Sequence, residues 1–188
     1  MSPKRILDVT FASLLIVLLS LPLFVIALMV KMTSRGPVLH WSKRVGKDNK
    51  LFLMPKFRSM YLDAPQLPTH LFKNPDAYLT PIGKLLRKTS LDELPQLFSI
   101  LVGDLSFVGP RPALFNQDDL VKLRTERGIH LLVPGLTGWA QVNGRDQLPI
   151  TMKVKYDSEY LQRRSLGFDF RILFTTVVRV ARRQDVSH

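Results

Sequence analysis

One stretch limits the folds open to this chain more than any other. Val9 to Val30 is an uncharged, mostly apolar run of 22 residues. It is long enough to cross a bilayer as one helix, which takes about 20 residues. Lys4, Arg5 and Asp8 precede it, and Lys31 and Arg35 follow it. A secretory signal has a shorter apolar core and a small-residue cleavage site, whereas Lys31 to Pro37 reads as a basic turn. The run is therefore read as a retained membrane segment. Pro22, near its middle, removes a helical donor and favours a kink; Ser20 is placed to satisfy a freed carbonyl. Two basic flanks favour keeping both ends on the cytoplasmic side. An ordinary kinked spanning helix and a helix-break-helix that enters and leaves by one face both remain open on these residues.

The chain can form one domain with a core, since its 188 residues match the roughly 100–200 residues of a typical domain. There are no cysteines, which excludes disulfides, thiolate metal sites and a cysteine nucleophile. The four histidines, His40, His70, His130 and His188, form no metal-ligand spacing, so a histidine-rich zinc site is not expected. The net charge of +12 and pI near 10.3 suit an anionic partner: nucleic acid, acidic lipid or a phosphorylated substrate.

Turn chemistry divides the chain beyond the membrane run. Residues 37–45 and 51–57 read as two strands joined by Gly46-Lys47-Asp48-Asn49. Residues 64–78 carry Pro65, Pro68 and Pro75 and read as a loop. Thr80-Pro81 is a helix start, with an end near Thr89-Ser90. Ser90 to Leu101 reads as a second helix stopped by Gly103, and Asn116 to Arg127 as a solvated helix with Leu120 and Leu123 on one side. Val133 to Arg145 is glycine-rich and polar, and Lys153 to Arg164 reads as helical. Phe168 to Arg183 places Phe170, Leu173, Phe174, Val177 and Val178 at helical spacing beside Arg171, Arg179, Arg182 and Arg183. Such a basic amphipathic helix suits either an anionic membrane surface or a core contact with a basic outer face.

Four constellations can carry chemistry. In Ser90-Leu91-Asp92-Glu93-Leu94-Pro95-Gln96-Leu97, Ser90 and Glu93 have capping-box spacing; alternatively Pro95 opens the helix and the acidic pair lies just ahead of it. Such a pair can merely complement a helix dipole. It can also supply a carboxylate that attacks phosphorus, or hold magnesium beside substrate phosphates. Lys56 and Arg58, two apart on a strand, share a face and could grip a diphosphate. In Val108-Gly109-Pro110-Arg111-Pro112 the prolines stiffen the loop that presents Arg111, and arginine suits bidentate phosphate recognition. Pro134 to Arg145 offers glycines for close backbone approach to a phosphate or sugar. There Trp139 could pack on a base or sugar, and Gln141, Asn143 and Arg145 could hydrogen-bond.

In order, these segments resemble the bacterial sugar transferase family, the monotopic phosphoglycosyl transferases. The resemblance runs from Lys4-Arg5 with Asp8 through Ser34-Arg35-Gly36-Pro37-Val38, Lys56 to Met60, Leu85 to Leu97 and Gly103 to Pro112. Pro134 to Arg145 and Asp157 with Tyr160 complete it. It implies an α/β fold, mostly helical with a small β-hairpin. A re-entrant membrane segment (1–35) would join a catalytic domain (36–188) with interfacial amphipathic helices, on the cytoplasmic face of the bacterial inner membrane. It implies transfer of a sugar-1-phosphate from a UDP-sugar to undecaprenyl phosphate, with Asp92 as nucleophile, UMP as leaving group and a covalent aspartyl intermediate. Glu93 would help with magnesium or the acceptor, making Asp92 and Glu93 the expected Mg2+ ligands. Lys56, Arg58, Arg87, Arg111, Thr137, Gln141, Arg145 and Asp157 are the residues the resemblance assigns to phosphate and nucleotide-sugar binding. Membrane lipid is an expected partner, nucleic acid is not, and the reading leaves room for a homodimer. Family members usually carry Ser-Pro at the membrane break; Ser20-Leu21-Pro22 shifts the expected break by one residue. The chain resembles the minimal members, which points to an N-acetylated sugar.

Overall fold

The computed structural model describes residues 2–64, 75–144 and 148–181. The apolar run forms two helices, α1 (Pro3–Leu18) and α2 (Ser20–Thr33), bent by 64° at their junction. At 16 and 14 residues, these helices are about 24 and 21 Å long at 1.5 Å per residue. Each falls short of a hydrocarbon core about 30 Å thick, and no single described helix is long and apolar enough to cross one. The break falls at Leu19 (φ −95°, ψ 9°), one residue before the expected Ser20–Pro22 site. Pro22 lies in the first turn of α2, where a missing N–H costs little. Leu19 joins the two ladders: its N–H donates to Leu15 O at 2.8 Å, and its carbonyl accepts from Leu23 N at 2.8 Å.

The expected hairpin is present. Strands β1 (Leu39–Val45) and β2 (Leu51–Phe57) pair antiparallel in the register Leu39 to Phe57, His40 to Lys56 and Val45 to Leu51. Asp48 and Asn49 take positive φ in the connecting turn, a conformation these short polar residues tolerate. The hairpin is extended by β4 (Ala113–Leu114), giving the order β2-β1-β4. A second, parallel pair was not anticipated. It joins β3 (Ser106–Val108) to β5 (Gly135–Thr137), the latter inside the stretch expected to be loop.

Two helix starts and the character of a third helix differ from the sequence expectation. The first helix after the hairpin, α3 (Gly83–Thr89), starts later than Thr80; the Thr80 hydroxyl donates instead to Ser59 O at 3.3 Å. The expected Ser90–Leu101 helix is divided into a 3₁₀ turn over Leu91–Glu93 and α4 (Gln96–Val102). Ser90 sits in the left-handed region (φ 57°) with no side-chain cap bond, so the capping box does not form and Pro95 precedes the helix proper. Helix α5 (Asp118–Glu126) buries Arg124 along with Leu120, so it is not simply solvated. Helices α6 (Ile150–Arg163) and α7 (Leu166–Ala181) follow. The loop expected over 64–78 lies mostly outside the described residues, as do Arg145, Arg182 and Arg183.

The apolar helices are part of the core. Ala12 packs with Met54, Leu97, Ile100 and Leu105; Ile26 and Val30 pack with Phe57, Ile82 and Leu86. Other faces remain bare: Leu14, Val17, Leu18, Leu21 and Phe24 are 60–73 % exposed. On α7, Phe170, Phe174 and Val177 are also exposed, as are Phe98 and Val102 on α4. A patch of this kind marks an interaction surface rather than a water-facing one.

Where β3 and β5 meet, three glycines are required. A Cβ on Gly135 would lie 2.1 Å from Gly109 N, one on Gly138 would lie 2.1 Å from Gly109 O, and one on Gly109 would lie 2.5 Å from Val133 O. The obstructing atoms are backbone and cannot move aside. Gly135→Ala is expected to destabilise the protein by roughly 1–3 kcal/mol or more. A lower melting temperature checks it; an unchanged one contradicts the packing.

Candidate functional site

The hairpin, the 3₁₀ turn before α4 and the loop after β3 converge on two adjacent carboxylates. Glu93 Oε1 accepts from Lys56 Nζ at 2.7 Å and from Arg111 Nη2 at 3.1 Å. Burial alone would raise the Glu93 carboxyl, but Lys56 and Arg111 outweigh it and hold the group well below the usual carboxylate range. Glu93 is therefore fixed as an anion that clamps two cations from separate elements.

Asp92 has the opposite fate. It is 7 % exposed, and its Oδ1 is buried without a hydrogen-bond partner. Burial pushes its carboxyl up to about 6; Lys56, Arg87 and Arg111 pull it down and Glu93 pushes it up, without reversing the effect of burial. An unpartnered buried carboxylate oxygen is costly, and a buried acid with a displaced pKa among cations is a candidate functional group.

Other residues assigned to ligand binding are used differently. Arg58 is buried, and its guanidinium donates to Ser34 O and Arg35 O at 2.8 Å each and to Ser34 Oγ at 2.7 Å. It locks the link between α2 and β1, so Lys56 alone of that pair reaches the carboxylates. Asp157 is also buried; its Oδ2 accepts from Arg124 Nε and Nη2 at 3.0 and 2.6 Å. Arg124 Nη1 in turn donates to the Arg111 carbonyl at 2.8 Å. Asp157 thus supports the arginine loop at one remove. The Thr137 hydroxyl pairs with Thr176 Oγ1 on α7 at 2.8 Å. Trp139 Nε1 donates to Glu159 at 2.8 Å, and its ring packs on Phe168 with centroids 5.1 Å apart. Asn143 Nδ2 donates to Trp139 O. Trp139 and Asn143 thus have partners within the protein, and Gly135 and Gly138 make room for the Gly109 backbone. Gln141 keeps both amide atoms buried and unpartnered.

Arg124 and Gln96 were given no site role from the sequence, and Asp8 entered only as a flank and through the resemblance. Arg124 lies one helical turn after Leu120 on the inward face, which was the available signal. Asp8 accepts from Phe107 N at 3.1 Å and had no local signature. Gln96 is 2 % exposed with an unpartnered Nε2. No described group of three or more His, Asp or Glu side chains could cage a metal ion. Magnesium, however, often takes only one or two carboxylates and completes its shell with water and substrate phosphates. The bare Asp92 Oδ1 fits that mode, while Glu93 is already occupied by cations.

A buried carboxylate thus stands among lysine and arginine side chains, on a turn whose Leu91 and Leu94 pack on the cluster that holds Ile26 and Val30 of α2. The chain belongs to the bacterial sugar transferase family, whose model matches residues 1–183. It is 40 % identical over 182 residues to the UDP-glucose:undecaprenyl-phosphate glucose-1-phosphate transferase of Escherichia coli (strain K12), covering 93 % of this chain and 39 % of that protein. A UDP-N-acetylgalactosamine-undecaprenyl-phosphate N-acetylgalactosaminephosphotransferase of Aeromonas hydrophila is 37 % identical, covering 93 % and 42 %. The exopolysaccharide production protein ExoY of Rhizobium meliloti is 36 % identical, covering 93 % and 83 %. The chain thus spans about two fifths of the first two relatives and most of the third.

The raised Asp92 carboxyl has a stability consequence. Ionising it costs the folded chain more than the unfolded one. That cost is absent below the ordinary value of 3.8 and complete above about 6. Without divalent metal, Asp92→Asn is expected to gain on the order of 1–2 kcal/mol over wild type at pH 8 and nothing at pH 4. Thermal melts at both pH values check this; an equal gain at both contradicts it.

Proposed function

We propose that the chain is a phosphoglycosyl transferase that moves a sugar-1-phosphate from a UDP-sugar to undecaprenyl phosphate. The observation that carries this reading is the bare, buried Asp92 oxygen among Lys56, Arg87 and Arg111. The relatives' names supply the substrate classes. An Asp92 carboxylate oxygen attacks the sugar-bearing phosphorus. A phosphorus–oxygen bond to Asp92 forms, the one to the nucleoside phosphate breaks, and UMP leaves with the electron pair. A phosphate oxygen of undecaprenyl phosphate then attacks the same phosphorus. The acyl-phosphate bond breaks and the Asp92 carboxylate is restored.

Arg111 and Lys56, oriented by Glu93, would balance the phosphate charge. Arg87, from the neighbouring helix, adds to the same field. Magnesium held at Asp92, with Glu93 beside it, would supply further charge neutralisation when bound. Catalysis needs the ionised carboxylate, so turnover should fall as the pH drops through about 6.

The bent helix pair fits one leaflet of the bacterial inner membrane, with both basic flanks on the cytoplasmic side, where nucleotide-sugars are found. The exposed residues of α7 and α4 would lie at the interface. Membrane lipid is then a partner, as the acceptor's lipid tail requires.

Both parts are testable. Incubation with undecaprenyl phosphate and a panel of glucose, galactose and N-acetylated UDP-sugars should release UMP with ping-pong kinetics. Asp92→Asn should lose turnover while staying folded; wild-type turnover in that variant, checked for deamidation, would remove Asp92 as nucleophile. Arg111→Ala should lower kcat/KM by about tenfold or more with little change in melting temperature; unchanged kcat/KM contradicts its role.

The topology can be tested with one cysteine, since the chain has none. Ser2→Cys should react with an impermeant thiol reagent only after cells are lysed. Labelling in intact cells would mean a spanning helix.

A further inference from the structure

The two stretches that carry the site are each tied to the start of α1. The helix that follows Asp92 and Glu93 is held at its far end: Arg5 donates from Nη1 to Ile100 O and from Nη2 to Leu101 O, the latter at 2.7 Å. Gly103, at φ 109°, ends α4 there; a Cβ on it would lie 3.3 Å from Arg5 Nη2. The strand that leads to Arg111 is held from two sides. Phe107 N donates to Asp8 Oδ1 at 3.1 Å. The Tyr160 hydroxyl donates to Asp169 Oδ1 at 2.7 Å and lies 3.3 Å from Val108 O. Lys4 Nζ closes the chain on Asp169 Oδ2 at 2.6 Å.

Flanking cations that only fix membrane orientation need no protein partner. Here Arg5 is committed to two carbonyls, Lys4 to a largely buried carboxylate, and Asp8 is itself buried. These bonds are long-range, joining residues 95 to 165 positions apart. The arginine pins α4, the aspartate pins β3 directly, and the lysine reaches β3 only through Asp169 and Tyr160, so one helix start spans both halves of the site.

We propose that Lys4, Arg5 and Asp8 are positioning residues that set the Asp92 turn against the Arg111 loop, so that docking of the membrane segment assembles the site. The catalytic part of this inference rests on the proposed function; the positional part does not. A misplacement of about 1 Å can cost about a hundredfold in rate, so loosening either tie should act on turnover more than on substrate binding.

The test uses the full chain in lipid nanodiscs, with Arg5→Met, Asp8→Leu and Asp8→Asn. Neither Asp8 variant removes a positive charge, so a change in membrane orientation is not forced. Arg5→Met and Asp8→Leu should lower kcat for UMP release by about tenfold or more, with KM within about twofold. Asp8→Asn, whose amide oxygen still accepts from Phe107 N, should stay near wild type. Hydrogen exchange supplies the readout independent of activity. Amides of 96–102 should exchange faster in Arg5→Met, and those of 106–108 faster in Asp8→Leu, while the β1–β2 ladder stays protected. Unchanged exchange in both variants, at any activity, overturns the inference, as does Asp8→Asn behaving like Asp8→Leu. Faster exchange throughout, ladder included, also overturns it, because the contacts would then serve general folding. If wild type releases no UMP from any UDP-sugar, the proposed function fails, and exchange alone judges the positioning.

Discussion

Glu93 sits between Lys56 and Arg111, and the geometry of the site depends on that shared carboxylate. Lys56 comes from the hairpin, Arg111 from the loop after β3, and Glu93 from the turn that opens α4. One ionised oxygen draws together three elements far apart in the chain. Burying charge is expensive unless it is paired, so the Glu93 carboxylate needs a cation beside it, and Lys56 and Arg111 both supply one. The neighbouring Asp92 is left under the same cations without a bond to Oδ1. The two carboxylates differ: Glu93 gives up its basicity to hold two cations, and Asp92 keeps its own.

The apolar N-terminal pair is built into this arrangement rather than appended to it. Ala12 and Val30 are fully buried against the hairpin and the helices beside the site. Outward faces of the same helices stay bare. The bend at Leu19 lets one segment meet both demands, since a straight helix of that length would carry its second half away from α3. On the proposed reading, the faces left bare meet lipid and the buried faces set the catalytic elements.

Features fixed by local chemistry were legible in the sequence. Strands β1 and β2 followed from their turn residues, α7 from helical spacing, and the Arg111 loop from its two prolines. The acidic pair and its cations were legible through resemblance, which no spacing argument could match. What failed depended on long-range contact. Strand β5 is three residues long and exists because Gly109, Gly135 and Gly138 allow two backbones to touch, so its glycines looked like a ligand loop. The charges of Arg58 and Asp157 are visible in sequence, but their partners Ser34, Arg35 and Arg124 are not. Ser90 offered a capping signature, but its left-handed backbone turned the chain before the helix could start.

On the proposed reading, Asp92 carries the phosphosugar between donor and acceptor. Mass spectrometry of the Asp92 peptide, after incubation with the productive UDP-sugar and no lipid acceptor and an acid quench, tests this. A sugar-phosphate adduct on Asp92 is expected, formed with release of UMP and discharged when undecaprenyl phosphate is added. UMP release only when both substrates are present, with no adduct on Asp92 at any time, would contradict it.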